Sequence, residues 1–420
     1  MLLRESPKRM LVVCTRGIGD FVLATPVMRS LKHKWPDGDI HALVFEGTEG
    51  ALENNRDVSR VIAVKRRATR RERLAEVISL WRRYDFAYTV TTSDRASFYC
   101  WVAGRYRAGI VPAGSQHWWK RMLFHQHAEV PQQAHMITVA LAGLPLLGVE
   151  PVCHVVPPSM RAHSTSAVRL DDMLQSLGGK RFAVLQLDAM YRYKTWHTAG
   201  WIEVIAWLRN QGYGIVLGGG AQAMHNVDVA SITHEAGPDA VDLVGRVSLA
   251  ELAAVIGRAA LYVGPDTGVS HIAAATGTPM VVLFGPSNPV SWGPWPASRR
   301  RHESPWALRG SRRVGNVFLL QGPGACVPCQ QGGCERHELS RSDCLSLLSA
   351  QTVIAAATTM LGLHAAALNC GFDDGPDRED ACHPEVTVRH PETTGVIQLV
   401  RRDRDMVRML VPDPGAPSDA

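Results

Sequence analysis

Two successive series of β-rich runs alternating with helical patterns limit the folds open to this chain more than any other feature. In the first half, short β-branched and apolar runs occupy residues 11–15, 40–45, 61–64 and 86–91. Helical patterns lie between them, such as 27–34 and 71–83, and in the latter Leu74, Val77, Ile78 and Trp81 recur on one helical face. Strands that alternate with helices predict a parallel sheet covered by helices on both faces.

The second half repeats the pattern after a Pro- and Ser-containing stretch at 151–170, which we interpret as a linker. Strands are predicted at 182–187, 215–217, 241–244, 261–263 and 280–284, and helices at 201–209, 249–256, 271–275 and 352–363. The chain of 420 residues, 46% of them hydrophobic, is long enough for two domains with separate cores. We therefore predict an N-terminal Rossmann-like domain at 1–160, a C-terminal one at 171–365 and a mobile, poorly ordered tail at 366–420, where 386–388 and 396–400 could form a small hairpin.

Charge and hydropathy indicate where such a chain would work. The N-terminus has no apolar signal-peptide core, and the longest nearly apolar run, 137–149, is too short to cross a bilayer. These observations favour the cytoplasm, where the nine cysteines should be mostly reduced. The net charge of +6 suits anionic partners, but we find no nucleic-acid-binding motif and do not expect a nucleic-acid partner.

The first of three candidate ligand motifs is Arg16-Gly17-Ile18-Gly19-Asp20, which follows the first predicted strand. In open α/β sheets, ligands bind at the carboxyl ends of the strands. Gly17 and Gly19 allow the backbone to turn tightly and to approach a ligand closely. Asp20 then lies near a helix N-terminus, where it serves either as a helix cap or as a catalytic carboxylate.

The second motif, DAMYRYKTWHTAGW, runs from Asp188 to Trp201 behind the strand predicted at 182–187. Lys194 could contact a diphosphate as a point charge, or it could be a solvated loop lysine. Trp196 could line a sugar site or pack against the sheet. We interpret His197 as structural.

The third motif, GPDTGVSH at 264–271, joins a predicted strand to a helix. Its small residues would expose backbone N–H groups at the helix start, which is a natural phosphate site. Asp266 would repel a phosphate, so it would order the loop or accept hydrogen bonds from sugar hydroxyls or from Lys194. The alternative is a capped turn without a ligand.

Together, the segments RGIGDFVLATP, KTWHTAGW, LVGRVSLAEL and GPDTGVSHIAAATGTPMVVLFGPSNP and the later cysteine region resemble glycosyltransferase family 9, which includes the ADP-heptose:lipopolysaccharide heptosyltransferases. The resemblance runs from about residue 10 to 365. It implies an α/β fold of the GT-B type, in which two Rossmann-like domains face a central cleft. It also implies inverting, metal-independent transfer, here of a heptose from ADP-heptose to the lipopolysaccharide inner core.

The resemblance also assigns site residues. Asp20 takes the position of the catalytic base, preceded by Gly19, and Lys194 that of the diphosphate contact. The residues in donor-binding positions are Trp196, Val247, Asp266, Thr267, Gly268 and His271. One segment departs from the family: the loop GGGAQAMHNVD has Met224, His225 and Asn226 where an acidic residue suited to ribose hydroxyls is expected.

This departure keeps other functions open. The chain could be a family 9 transferase with a different nucleotide sugar or glycan acceptor, a nucleotide-sugar epimerase on the same architecture, or a non-catalytic nucleotide-sugar-binding protein. The presence of Asp20 argues against the last. No cofactor is expected beyond the donor, and no Asp-x-Asp metal motif lies near the cleft segments.

Two further patterns suggest a metal and a partner. Cys326, Cys329, Cys334 and Cys344 follow the spacing C-x₂-C-x₄-C-x₉-C, which suits a structural metal site or packed thiols. Residues 60–83 contain nine basic and two acidic residues. They form either a solvated face or a contact for lipopolysaccharide phosphates and the inner-membrane surface, to which Trp118-Trp119-Lys120-Arg121 could add an anchor.

Overall fold

The computed structural model describes residues 6–130, 133–220 and 227–363 and four short strands between 387 and 409. The first half forms one sheet from β1 (Arg9–Val13), β2 (Asp39–Phe45), β3 (Arg60–Val64), β4 (Tyr84–Thr89), β5 (Gly104–Pro112) and β6 (Gln126–Val130). These strands are parallel and lie in the spatial order β3-β2-β1-β4-β5-β6. The order reverses between β1 and β4, which is where doubly wound sheets bind their ligands.

Helices cover both faces of this sheet. They are α1 (Ile18–Val22), α2 (Thr25–Lys34), α3 (Arg70–Leu80), α4 (Asp94–Ala103), α5 (Trp118–Leu123) and α6 (Met136–Leu141), with short 3₁₀ turns at Glu49–Leu52, Ser115–His117 and Pro145–Leu147. Side chains of β1 alternate between two buried clusters: Met10 and Val12 pack with α1 and α2, and Leu11 and Val13 pack with α4. This alternation follows from the two-residue repeat of a strand.

The second domain has the same winding. Its strands are β7 (Phe182–Gln186), β8 (Gly214–Gly218), β9 (Val241–Asp242), β10 (Leu261–Pro265), β11 (Met280–Phe284), β12 (Arg312–Val314) and β13 (Val317–Gln321). They lie in the order β12-β13-β11-β10-β7-β8-β9, and only the edge strand β12 runs antiparallel among them. Here the order reverses between β7 and β10.

The helices described in the second half are α7 (Thr165–Gln175), α8 (Thr198–Asn210), α9 (Val229–Ala236), α10 (Leu249–Ile256), α11 (Gly268–Thr276), α12 (Pro289–Trp292), α13 (Asp343–Ser346) and α14 (Ala350–Leu361), with a 3₁₀ turn at Arg192–Lys194. Among the described residues, no helix has both the length and the apolarity needed to span a bilayer.

The predicted α/β fold of two Rossmann-like domains is confirmed, with local differences. β5, β6, β12 and β13 were not predicted, and α7 begins at Thr165, inside the stretch interpreted as a linker. The expectation of a mobile tail at 366–420 lies outside the described residues except for two hairpins. These pair Thr387–His390 with Thr393–Val396 and Leu399–Arg402 with Met406–Met409, closer in sequence than the predicted pairing of 386–388 with 396–400.

The two domains share a buried interface. The cluster on the α1–α2 face of the first sheet includes Ala253 of α10 and Ile272 of α11. It also includes Trp295, although this residue belongs to the second half of the chain by sequence. The segment after α12 therefore returns to the first domain and completes its core.

Candidate active site between the two domains

The loop after β1 places Asp20 at the third position of α1. Gly17 caps this helix and has an extended backbone, with φ −81° and ψ 176°. The Gly17 N–H donates to Oδ2 of Asp20 over 3.3 Å, so the carboxylate closes the turn that precedes its own helix. Gly17, and not Asp20, is therefore the N-cap residue, and Asp20 supports the helix start from the third position with one of its two oxygens.

The second oxygen of Asp20 is available for chemistry. Oδ1 is buried, and among the described residues it has no hydrogen-bond partner. Nη1 of Arg16 lies 3.7 Å from this same Oδ1, an ion-pair distance without a hydrogen bond. Burial raises the pKa of Asp20, an effect that the nearby Arg16 and, more weakly, Lys194 oppose. A carboxylate with a raised pKa and one oxygen that accepts no hydrogen bond is suited to accept a proton from a hydroxyl.

The ends of two helices from different domains meet beside Asp20. Thr267 caps α11, which starts at Gly268. A Cβ added at Gly268 would lie 3.0 Å from the backbone N of Gly19, and one added at Gly19 would lie 3.0 Å from Cδ2 of His271. A side chain at either glycine would crowd the other domain and require its neighbours to shift, so this contact favours small residues at both positions.

Lys194 and Asp266 form an ion pair at the edge of the second sheet. Lys194 lies in the turn after β7 and Asp266 directly after β10, the two strands between which the sheet order reverses. Nζ of Lys194 donates to Oδ2 of Asp266 over 2.6 Å. Burial alone would lower the pKa of Lys194, but the Asp266 carboxylate outweighs burial, and the pKa is raised. Burial alone would raise the pKa of Asp266, but the Lys194 ammonium outweighs burial, and the pKa is lowered.

His271 completes this group as a neutral side chain. Burial lowers the pKa of His271 to about 4; Asp266 opposes this shift, and Lys194 adds to it. Its Nδ1 is buried and has no hydrogen-bond partner in the described part of the chain. The structure therefore brings Asp20, Gly19, Lys194, Asp266, Thr267, Gly268 and His271 together where the domains meet.

Two other residues predicted to bind the donor pack in or against the core of the second domain. Trp196 is only 1% exposed, donates from Nε1 to the carbonyl of Leu348 over 2.9 Å, and packs edge-on against Trp201. Trp196 therefore packs in the core beneath the turn that carries Lys194, as the packing alternative predicts. Val247 is half-buried beside the cluster that contains Leu252 and Val269.

Sequence reasoning passed over Asp188. It follows β7 and is buried; its Oδ1 accepts from the Gly220 N–H over 3.1 Å and from Nε2 of Gln186 over 3.0 Å. Asp188 thus fixes the start of the loop that departs from the family pattern, although residues 221–226, with Met224, His225 and Asn226, lie outside the described residues. An acid directly after a buried strand was the signal that could have identified it.

The four cysteines predicted as a metal site or packed thiols differ in burial. Cys344 is buried beside Leu345, whereas Cys326 and Cys334 are exposed, and all four thiols are free. Burial and, more weakly, the other three thiols raise the pKa of Cys344 to about 11. Within residues 6–130, 133–220 and 227–363, no group of three or more His, Cys, Asp or Glu side chains is arranged to hold a metal ion.

Solved structures share this architecture. A family 9 glycosyltransferase from Veillonella parvula aligns with a TM-score of 0.65 and 20% identity, covering 84% of this chain and 97% of that one. The ADP-heptose lipopolysaccharide heptosyltransferase II of Escherichia coli aligns with a TM-score of 0.62 and 18% identity, covering 84% and 98%. These alignments support two Rossmann-like domains of the GT-B type.

Sequence comparisons lead to the same family. Lipopolysaccharide heptosyltransferase 3 of Escherichia coli is 29% identical over 294 residues, which are 66% of this chain and 83% of that protein. The K12 strain's enzyme of the same name is 28% identical over 356 residues, 82% and 95% of the two chains. The profile described as glycosyltransferase family 9 (heptosyltransferase) matches residues 73–305, more than half of the chain. The chain belongs to glycosyltransferase family 9.

Proposed function

We propose that this enzyme transfers a heptose from ADP-heptose to a sugar hydroxyl of the lipopolysaccharide inner core, with inversion and without a metal ion. The observation that carries the proposal is the buried Oδ1 of Asp20, which accepts no hydrogen bond and lies near the α11 start and Lys194 of the other domain. Relatives named as lipopolysaccharide heptosyltransferases support the choice of donor and acceptor.

The reaction divides between the domains. The acceptor hydroxyl attacks the anomeric carbon as the bond to the diphosphate breaks, and Asp20 takes the hydroxyl proton on Oδ1. A positioned base of this kind contributes roughly 10²–10⁴-fold to the rate. Attack opposite the departing diphosphate inverts the anomeric centre.

The leaving diphosphate needs positive charge and N–H donors. Lys194 can donate to it while remaining paired with Asp266, and the first N–H groups of α11, which begins two residues after Asp266, can supply further donors. Fixed donors of this kind stabilise charge as it develops and so take the role that a divalent cation has in other transferases. His271 is neutral at pH 7 because its pKa is lowered to about 4, so it adds no charge beside the diphosphate.

A second candidate is a family 9 transferase with another nucleotide sugar. The observation that favours it is the loop at 218–228, which lacks the expected acid for ribose hydroxyls. Asp188, which holds the start of this loop, could supply a carboxylate there instead.

Thermal unfolding of the full chain with ADP, UDP, GDP or CDP, without added metal, tests the donor. A ligand that binds only the folded state raises the melting temperature according to its affinity. We expect a rise with ADP alone, followed by heptose transfer to truncated lipopolysaccharide. A rise with another nucleotide would move the donor to the second candidate, and turnover of the nucleotide sugar without an acceptor would indicate an epimerase. Binding of ADP without any turnover would overturn the proposed transfer in favour of a non-catalytic nucleotide-sugar-binding protein.

A further inference from the structure

An apolar surface with a basic border covers one face of the first domain. The helices α3, α4 and α5 pack side by side over β1–β6, and their outer side exposes large apolar residues. These residues, with the exposed fraction of each, are Leu74 (60%), Ile78 (64%), Trp81 (52%), Phe98 (40%), Trp118 (59%), Trp119 (36%) and Met122 (68%). We call this set the apolar face.

The apolar stripe of α3 is wider than the part that the domain covers. Leu80 is buried and Val77 half-buried against the sheet, as a core-facing stripe requires. Leu74 and Ile78 lie beside Val77 on the same side of the helix, yet both are exposed, at a border where polar residues are normally found. The apolar surface of this helix therefore continues from the core out to the solvent.

Aromatic contacts make the apolar face continuous between helices. Trp101 of α4 lies 6.0 Å from Trp81 at the end of α3 and 6.2 Å from Phe98, measured between ring centroids. Lys120 of α5 is paired with Asp94 at the start of α4 over 2.6 Å, which holds the third helix against the second. Contiguous exposed apolar area of this kind marks a binding surface.

The border of the apolar face has an excess of arginine. Arg67, Arg70 and Arg71 are exposed, and none of them makes an ion pair with another described residue. The two acids of this segment are already used, since Glu72 pairs with Lys65 over 2.7 Å and Glu76 with Arg73 over 2.9 Å. Cations in the first turn of a helix oppose its dipole, so these arginines weaken α3 rather than stabilise it.

The second domain does not cover this surface. Its contacts with the first domain are on the opposite side of the sheet, where Ala253, Ile272 and Trp295 join the cluster around α1 and α2. Within the part of the chain that the structure describes, the apolar face is consequently left exposed.

We propose that the apolar face docks on the surface of an anionic phospholipid bilayer, with the arginines among the headgroups and the apolar side chains at the acyl boundary. Apolar side chains beside a basic border are the composition of interfacial membrane helices. A second copy fits less well, because a two-fold interface would bring the same arginines of both copies together. Nucleic acid would use the charge but not Leu74, Ile78 or Met122. The proposal depends on this surface and not on the identity of the donor.

The test is sedimentation of the full chain with vesicles of phosphatidylethanolamine and phosphatidylglycerol, compared with vesicles of phosphatidylcholine. We expect binding to the anionic vesicles that weakens with added salt, because surface charges are screened. Arg67→Gln with Arg70→Gln and Arg71→Gln should lower binding roughly 100-fold, since each cation near an anionic surface contributes about fivefold. Leu74→Gln with Ile78→Gln should lower it at least about tenfold.

The matched control is Val168→Gln with Leu339→Gln, which removes exposed apolar side chains of the second half that are 56% and 74% exposed. It should bind vesicles like the unaltered chain, and all variants should keep their melting temperature and their nucleotide response. No binding to anionic vesicles, equal loss in the control, or a dimer that Leu74→Gln with Ile78→Gln dissociates would each overturn the proposal.

Discussion

At the scale of single residues, the site depends on which polar atoms are left without partners. Asp20 uses Oδ2 to close its own turn and leaves Oδ1 without a hydrogen bond, while Lys194 and Asp266 neutralise one another. One side chain therefore supports the helix start and serves as candidate base. The candidate base, Asp20, is thus in one domain, and the Lys194–Asp266 ion pair is in the other.

The substitution Asp20→Asn tests that division. The asparagine side chain can still accept the Gly17 N–H but cannot take a proton, so kcat should fall roughly 10²–10⁴-fold. The melting temperature and the nucleotide-induced shift should change little. The measurement is steady-state transfer, with the exposed Asp37→Asn as the control; full turnover in the Asp20→Asn variant would remove the base from the mechanism.

The Lys194–Asp266 pair predicts a stability effect that a double variant can reverse. Lys194→Met leaves a buried carboxylate unpaired, which should cost about 3 kcal/mol of unfolding free energy. Combining it with Asp266→Asn removes the charge and should recover most of that loss, although nucleotide binding should stay weak. Urea unfolding of the two variants checks this, and additive losses would show that the pair is not coupled.

At the scale of elements, the starts of α1 and α11 form a close contact between the domains at two glycines. A Cβ at Gly19 or at Gly268 would lie 3.0 Å from its nearest neighbour, so that neighbour would have to move. Because Asp20 follows one glycine and the third motif includes the other, this contact sets the separation of the proposed base and the proposed donor site.

Gly268→Ala should therefore impair both stability and catalysis. The added methyl group would lie 3.0 Å from Gly19 and from Ile18, and such overpacking typically costs about 1–3 kcal/mol. Gly257→Ala is the matched control, because its Cβ has only ordinary contacts, the nearest at 3.4 Å. Thermal unfolding and transfer rates distinguish them, and equal behaviour of the two variants would contradict the close approach.

At the scale of the whole molecule, the two domains are joined by buried contacts as well as by the chain. His135 caps α6 by accepting the Ile137 N–H at Nδ1, and its Nε2 donates to the carbonyl of Gly293 over 2.9 Å. Its ring lies 4.7 Å from that of Trp295, the second-half residue in the first domain's core. Such contacts favour unfolding of both domains together.

This junction predicts a loss of stability in acid. Burial lowers the pKa of His135 to about 3, so the folded chain binds fewer protons than the unfolded chain between that value and the ordinary 6.5. The stabilisation is complete above pH 6.5 and is lost as the pH falls toward 3, by up to about 4 kcal/mol. His135→Asn should flatten the dependence of unfolding free energy on pH. His271, with its pKa of about 4, should keep some slope, and a curve parallel to that of the unaltered chain would contradict the assignment.

The sequence alone was sufficient for the two α/β domains, the order of the motifs and most central strands, because strand and helix periodicity and glycine turns are local properties. It also selected Asp20, Lys194, Asp266 and His271 as candidate site residues, and the structure places them where the domains meet. Four strands were missed. β12 and β13 lie at or near an edge of the second sheet. β5 and β6 contain polar residues such as Arg105, Arg107, His127 and Glu129, so neither reads as a continuous apolar run.

Contacts between distant segments decided the rest. Whether an oxygen of Asp20 was left without a hydrogen bond, whether Trp196 faced the cleft or the core, and whether four cysteines converged depended on packing between segments far apart in sequence. The return of Trp295 to the first domain and the exposure of Leu74 and Ile78 had the same origin. Periodicity places a side chain on one face of an element, but only the assembled sheets and helices determine which faces are covered.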